Sequence, residues 1–304
     1  MTHNKKKLVM CGCHIGGRDV ISSLIEEGYE FSYFVCLSKE QSLRYDISGY
    51  FDYSAIASQH SIPIYYPESY SLKTDKDIRF FQENKFDLII QGGWQRLFPT
   101  AILNQLKIGA IGLHGSSDFL PKGRGRSPMN WSLILGKERF IMHLFMIKSG
   151  VDDGDILDTY QFDINIFDDI CTLYYKYTIS YRELLLRNLK NILSNEISPL
   201  PQVGTPTYYS KRNAKDAEIH FEEMDLIEIY NFIRAQTRPY PGAFAKVDNQ
   251  TIKIWKAQPF DTRITYPSCE YGSVVESFDG NLIIKCLGGS LLVTDWEYFD
   301  TEVI

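Results

Sequence analysis

Several familiar signals are missing from this sequence. No C-x-x-C pair occurs: Cys11, Cys13, Cys36, Cys171, Cys269 and Cys286 are scattered, which argues against a zinc site. Cys11, Cys13, Cys36 and Cys286 lie in apolar runs and read as small core residues. No apolar stretch reaches membrane-spanning length. No signal peptide is visible, since the run after Lys5–Lys7 stops at Gly16, Gly17, Arg18 and Asp19, so the cytoplasm is the expected location. The Asn249-Gln250-Thr251 sequon is read as chance. Basic residues are not in excess: 32 Lys and Arg face 38 Asp and Glu, a net charge of −6. Overall charge therefore gives no reason to expect a nucleic-acid partner.

What is present is a chain of 304 residues, 44% hydrophobic and 23% charged. That length and mixture predict a globular protein of two domains. Residues 8–13 read as a buried first strand, followed by a turn at Gly16-Gly17 and a helix over about 19–27. The glycine pair follows a strand, but its spacing is not G-x-G-x-x-G, and a tight turn over a parallel sheet is preferred to a dinucleotide site. Further strands are expected at 30–37, 86–91 and 108–113, with helices between. The last of these should end at His114. Such alternation predicts an open, mostly parallel Rossmann-like α/β sheet, whose ligands bind beyond the carboxyl ends of the strands. Gln91, Gly92, Gly93 and Trp94, together with His114, would meet there.

Downstream, Ser127 is expected to cap a helix opened by Pro128. A strand over 140–148 carries His143, read as packed or hydrogen-bonded in the core. Asp168 or Asp169 should cap a helix running to about Ser194. Its stripe Ile170, Leu173, Tyr174, Tyr177, Leu184, Leu185 and Ile192 is read as core and not as a cofactor face. Residues 198–210 have the Pro, Gly and small-polar composition of a linker. One helix and short β-runs then predict a smaller C-terminal OB-like β-barrel. The expected division is 1–197, 198–210 and 211–304. The barrel edge and the aromatic content leave room for a homodimer.

The chemistry concentrates in LHGSSDFLPKGRGRSPMNW, residues 113–131, and in GVDDGDIL, residues 150–157. An imidazole beside a flexible basic loop and a carboxylate suits acid/base work, because a carboxylate can orient the ring. Lys122, Arg124 and Arg126 fit a phosphate or pyrophosphate about as well as they fit a solvated loop. Asp152, Asp153 and Asp155 lack the ligand spacing of a calcium loop, so no metal is expected.

These two blocks resemble the signature of the N10-formyltetrahydrofolate-dependent formyltransferases, and RPYPGAF and KIWKA extend the likeness into the C-terminal part. The resemblance implies formyl transfer from N10-formyltetrahydrofolate, with His114 and Asp152 as catalytic residues. The sugar N-formyltransferase branch is the better match, implying a nucleotide-linked amino-deoxysugar as acceptor and neither nucleic acid nor membrane as partner. Gly92, Gly93, Trp94, Gly115, Ser116, Lys122, Arg124, Arg126, Asp153 and Gly154 would contact folate or acceptor. In the family an Asn two residues before the His helps polarise the formyl carbonyl, and here that position is Gly112. An oxyanion donor is worth roughly 3–4 kcal/mol, so Gln91, Gln95, Asn130 or an ordered water in place of the Asn amide is expected to replace it. The alternatives are an altered relative that binds without transferring formyl, and a methionyl-tRNA formyltransferase.

Overall fold

The computed structural model describes residues 6–298 apart from Ser48 and Asn249. The sequon asparagine, and the ends of the expected domains at 1–5 and 299–304, lie outside the described residues. A parallel sheet begins with β1 (Leu8–Gly12), buried throughout because apolar side chains cover both faces. It is followed by α1 (Arg18–Glu26), β2 (Phe31–Val35), α2 (Lys39–Arg44), α3 (Ser54–Gln59) and β3 (Ile64–Tyr65). Then come α4 (Asp75–Asn84), β4 (Leu88–Gly92), α5 (Thr100–Leu103) and β5 (Gly109–Ser116). The short α2, missed in the sequence, is held by a capping box between Ser38 and Gln41.

After β5 the chain makes β6 (Arg124–Gly125), α6 (Pro128–Ile134), β7 (Arg139–Met146), β8 (Ile156–Asp163) and the long α7 (Ile170–Ser194). The seven-stranded order is β3-β2-β1-β4-β5-β7-β8, parallel through β5 and antiparallel beyond it. One face buries α1, α6 and α7 around Leu24, Phe140, Leu184 and Leu185. The other buries Tyr70, Phe81, Phe86 and Trp94.

The expected linker is not a loose tether. Leu200 exchanges backbone bonds with Ile156, and β9 (Tyr208–Tyr209) pairs in parallel with β6. The C-terminal part comprises α8 (Leu226–Arg234), β10 (Ala243–Val247), β11 (Gln250–Asp261), β12 (Val274–Phe278), β13 (Asn281–Cys286) and β14 (Gly289–Tyr298). The expected barrel strands form a five-stranded antiparallel sheet in the order β10-β11-β14-β13-β12. Register shifts after Ile254 and Pro259 bend β11. Its core packs Ile229 and Ile233 of α8 against Ile254, Ile284 and Val293.

One sequence expectation changes here and another is narrowed to one of its two residues. Ser127 occupies the N-cap position of α6 but has φ of 51° and makes no side-chain cap bond; Pro128 alone sets that helix start. Asp169, not Asp168, caps α7 by accepting from Thr172 N–H. Asp168 instead is buried beneath Lys176, which it meets at 2.6 Å.

Asn130 joins the two parts by donating from Nδ2 to the Ala235 carbonyl at 2.7 Å, a buried bond. Asn130→Ala leaves that carbonyl unpaired, so urea unfolding is expected to show a loss of about 1–3 kcal/mol. A change within about 0.5 kcal/mol would mean that the bond contributes nothing to joining them.

Candidate active site

His114 lies two residues inside β5, not at its end, because β7 pairs with β5 as far as Ser116 and sets His114 opposite His143. Residues 117–127 then fold back over the strand. His114 Nε2 meets the Gly123 carbonyl at 2.8 Å, and Nδ1 meets Asp152 Oδ2 at 3.3 Å. A carbonyl only accepts, so Nε2 carries a hydrogen and Nδ1 is the nitrogen that faces the carboxylate. Asp152 Oδ2 also accepts from Gly125 N–H at 3.0 Å. The ring is therefore held between the Gly/Arg loop and the VDDGD turn, with only 8% of it exposed.

His143 sits directly beneath. Its Nδ1 donates to the His114 carbonyl at 3.2 Å, and its Nε2 accepts from Leu120 N–H at 3.3 Å. Accepting at Nε2 requires the neutral ring. Burial, the main cause, pulls its pKa down from 6.5 to about 4.

A cavity of about 480 Å³ opens beside His114. It is walled by the backbone at Gly93 and Gly115, by Phe140, and by Tyr174, Tyr177 and Tyr181 of α7, with Tyr45 and Tyr240 at other edges. Arg96, Arg126, Lys211 and Arg212 line it against one carboxylate among the described residues, Asp46. Arg212 lies over Trp131 and Phe232 at 5.2 and 5.3 Å, and burial lowers its pKa. A smaller cavity of about 140 Å³ adjoins through Ser127, Asn130, Arg212 and Tyr240. Cations and aromatic faces suit a ligand with phosphate groups and flat rings.

The residues singled out in the sequence divide. His114, Gly93, Gln95, Gly115, Arg126 and Asn130 line the cavity, and Asp152 reaches it through His114. Trp94 does not: it is 1% exposed, packs on Tyr70 and Phe98, and is core. Gly92 serves close packing, since its carbonyl lies 2.3 Å from where a Cβ on Gly12 would be. Ser116 is buried and accepts from Asp118 N–H. Lys122 is exposed away from the cavity. The Arg124 guanidinium is directed to Gln202 and Tyr208. Asp153 is turned toward Gly150, and a Cβ on Gly154 would strike the Met146 carbonyl.

The Gly112 position is also explained. A Cβ there would meet Ile147 Cδ1 at 2.9 Å and Gln91 Oε1 at 3.1 Å, so Ile147 and Gln91 fill the space that a side chain at Gly112 would take. Gln91 donates to the Trp94 carbonyl at 2.7 Å and does not line the cavity. Asn130 is committed to Ala235. Gln95 lines the cavity, and its side-chain amide has no partner among the described residues. Tyr174 and Tyr177, read as core, line the cavity as well as packing on the core, because one helix face spans both. His14, Tyr45, Arg96, Lys211, Arg212 and Tyr240 were not singled out in the sequence; Tyr240 lies within RPYPGAF, but that segment says nothing of which cavity it lines.

A switch-point crevice holding a histidine–carboxylate pair beside a basic, aromatic cavity defines an α/β enzyme of group transfer. The sequence pattern of the formyl transferase family matches residues 54–189, and that of its C-terminal domain matches residues 211–298. The chain is 30% identical to the methionyl-tRNA formyltransferase of Enterococcus faecalis over 293 residues, 95% of this chain and 90% of that protein. It is 32% identical to the bifunctional polymyxin resistance protein ArnA of Wigglesworthia glossinidia brevipalpis over 247 residues, 81% of this chain but 36% of that one. Among solved structures, an N-formyltransferase from Helicobacter canadensis superposes with a TM-score of 0.70 at 18% identity, covering 97% of this chain and all of that one. The chain belongs to the formyltransferase family, and it is an enzyme of that class.

Two expectations follow from this geometry. His143 titrates near 6.5 when unfolded and near 4 when folded, so the unfolded chain binds more protons between those values. Stability is then full above about 6.5 and falls as pH drops toward 4, by about 3 kcal/mol in all. His143→Asn, which does not titrate, should flatten urea stability between pH 7 and 4.5 relative to wild type; an unchanged slope contradicts the assignment. Gly112→Asn should cost about 1–3 kcal/mol by overpacking. In the Gly112→Asn/Ile147→Ala double variant the losses should fall at least about 0.5 kcal/mol short of their sum. Strict additivity would mean the space beside Gly112 is open.

Proposed function

We propose that this enzyme moves a formyl group from N10-formyltetrahydrofolate to the amine of a nucleotide-linked amino-deoxysugar. The carrying observation is the His114–Asp152 pair against a cavity lined by four cations and one carboxylate. That local excess of positive charge, in a chain of net charge −6, suits the pyrophosphate of a small acceptor better than a long polyanion. The aromatic walls suit a pterin or nucleobase ring. Further support comes from the Helicobacter canadensis enzyme, solved with folinic acid and dTDP-3-aminofucose, and from the ArnA likeness.

In the transfer, the acceptor nitrogen bonds the formyl carbon and the bond from that carbon to N10 breaks. One proton leaves the amine and one reaches N10. His114 and Asp152 carry that proton balance, and Gln95, which lines the cavity, donates to the developing oxyanion. Arg126, Lys211 and Arg212 hold the acceptor phosphates. Residues 1–197 form the catalytic domain and 211–304 an OB-like domain, joined by 198–210, in a cytoplasmic protein. Near-full-length similarity to a methionyl-tRNA formyltransferase makes charged tRNA the competing acceptor.

The test is a mass-spectrometric assay in which purified protein and N10-formyltetrahydrofolate are offered UDP-, dTDP- and GDP-linked amino-deoxysugars, and separately methionyl-tRNA. Formylation of a nucleotide sugar is expected, with Arg126→Ala raising the acceptor KM about tenfold, as loss of one charge-assisted bond predicts. Turnover on methionyl-tRNA alone would overturn the reading.

A further inference from the structure

Gln202 lies in the expected linker, and its neighbours Pro201 and Val203 are exposed while it is half-buried. Its side chain is turned inward onto the turn that carries Asp152. Gln202 Nε2 donates to the carbonyls of Asp152 and Gly154, each at 2.8 Å. Its Oε1 accepts from Arg124 Nη2 at 2.7 Å and Nε at 3.2 Å. A guanidinium only donates, so the amide oxygen must face Arg124 and the NH₂ must face the two carbonyls. Arg124 thus fixes which way the amide points.

The turn needs such a hold. Asp152 has φ of 49°, a left-handed conformation that a non-glycine residue keeps only when its surroundings impose it. That conformation is also what aims the carboxylate at His114. The same segment is fastened on the loop side, where Thr207 accepts from Gly123 N–H through Oγ1 and from Arg124 N–H through its carbonyl. Both groups that hold the His114 ring, the Gly123 carbonyl and the Asp152 carboxylate, are therefore tied to residues 202–207.

We propose that Gln202 is a positioning residue for the transfer, oriented by Arg124 and acting through Asp152 on His114. The inference rests on the reading that His114 and Asp152 carry the reaction. The variant to make is Gln202→Glu, which keeps the contact with Arg124 but cannot donate to the two carbonyls. Formyl transfer by the full chain should lose about a hundredfold in kcat, the scale of an ångström-sized misplacement. KM for donor and acceptor should stay within about threefold.

Gln202→Met, which fills the space without donating, should give the same loss. The pH profile of kcat should change in the same sense as in Asp152→Asn. Adding Gln202→Glu to Asp152→Asn should cost nothing more, whereas a merely structural role would lower both backgrounds alike. Wild-type kcat in Gln202→Glu and Gln202→Met, with Asp152→Asn strongly slowed, would overturn this inference alone. Full activity in Asp152→Asn would instead remove the reading beneath it.

Discussion

The loop and turn beside the cavity meet at one contact, that of the His114 ring with the Asp152 carboxylate at 3.3 Å. The ring is held at both nitrogens, Nδ1 facing the carboxylate and Nε2 donating to the Gly123 carbonyl at 2.8 Å. Each partner is then fixed from behind. His143 bonds the His114 carbonyl, and Gly125 N–H bonds the carboxylate. The geometry is assembled from strand, loop, turn and connecting segment, so no single element could form it alone.

The same constraint explains why the glycines fall where they do. Gly123 and Gly154 are sites where backbone must pass within side-chain distance of Ser116 or the Met146 carbonyl. Gly112 has a different reason. Its missing side chain makes room for Ile147 and Gln91, so the space beside it is packed and not empty. The charge balance follows a similar logic: an acidic chain gathers Arg96, Arg126, Lys211 and Arg212 at one cavity. Anionic groups are then drawn to the place where the His114–Asp152 pair lies.

Much of this was legible in the residues. Alternating apolar runs announced the parallel sheet, and the blocks at 113–131 and 150–157 announced the histidine–carboxylate pair, since each is a continuous segment whose chemistry is local. What could not be read is what the fold brings together from afar. Trp94 beside two glycines resembles a ligand contact, yet its indole is buried against Tyr70 and Phe98. Tyr174 and Tyr177 have core periodicity, and periodicity does not say that the core ends in a cavity. The composition of 198–210 signals a connector and conceals Gln202, because one inward side chain among exposed neighbours leaves no period to detect.

The central claim is that the His114–Asp152 pair carries formyl transfer. Its most direct test is a single-turnover measurement on His114→Asn with donor and acceptor both saturating, so that chemistry is seen apart from binding and release. Loss of general acid–base participation predicts a rate at least about a hundredfold below wild type, with unchanged binding of both ligands. A single-turnover rate within about threefold of wild type would contradict the account.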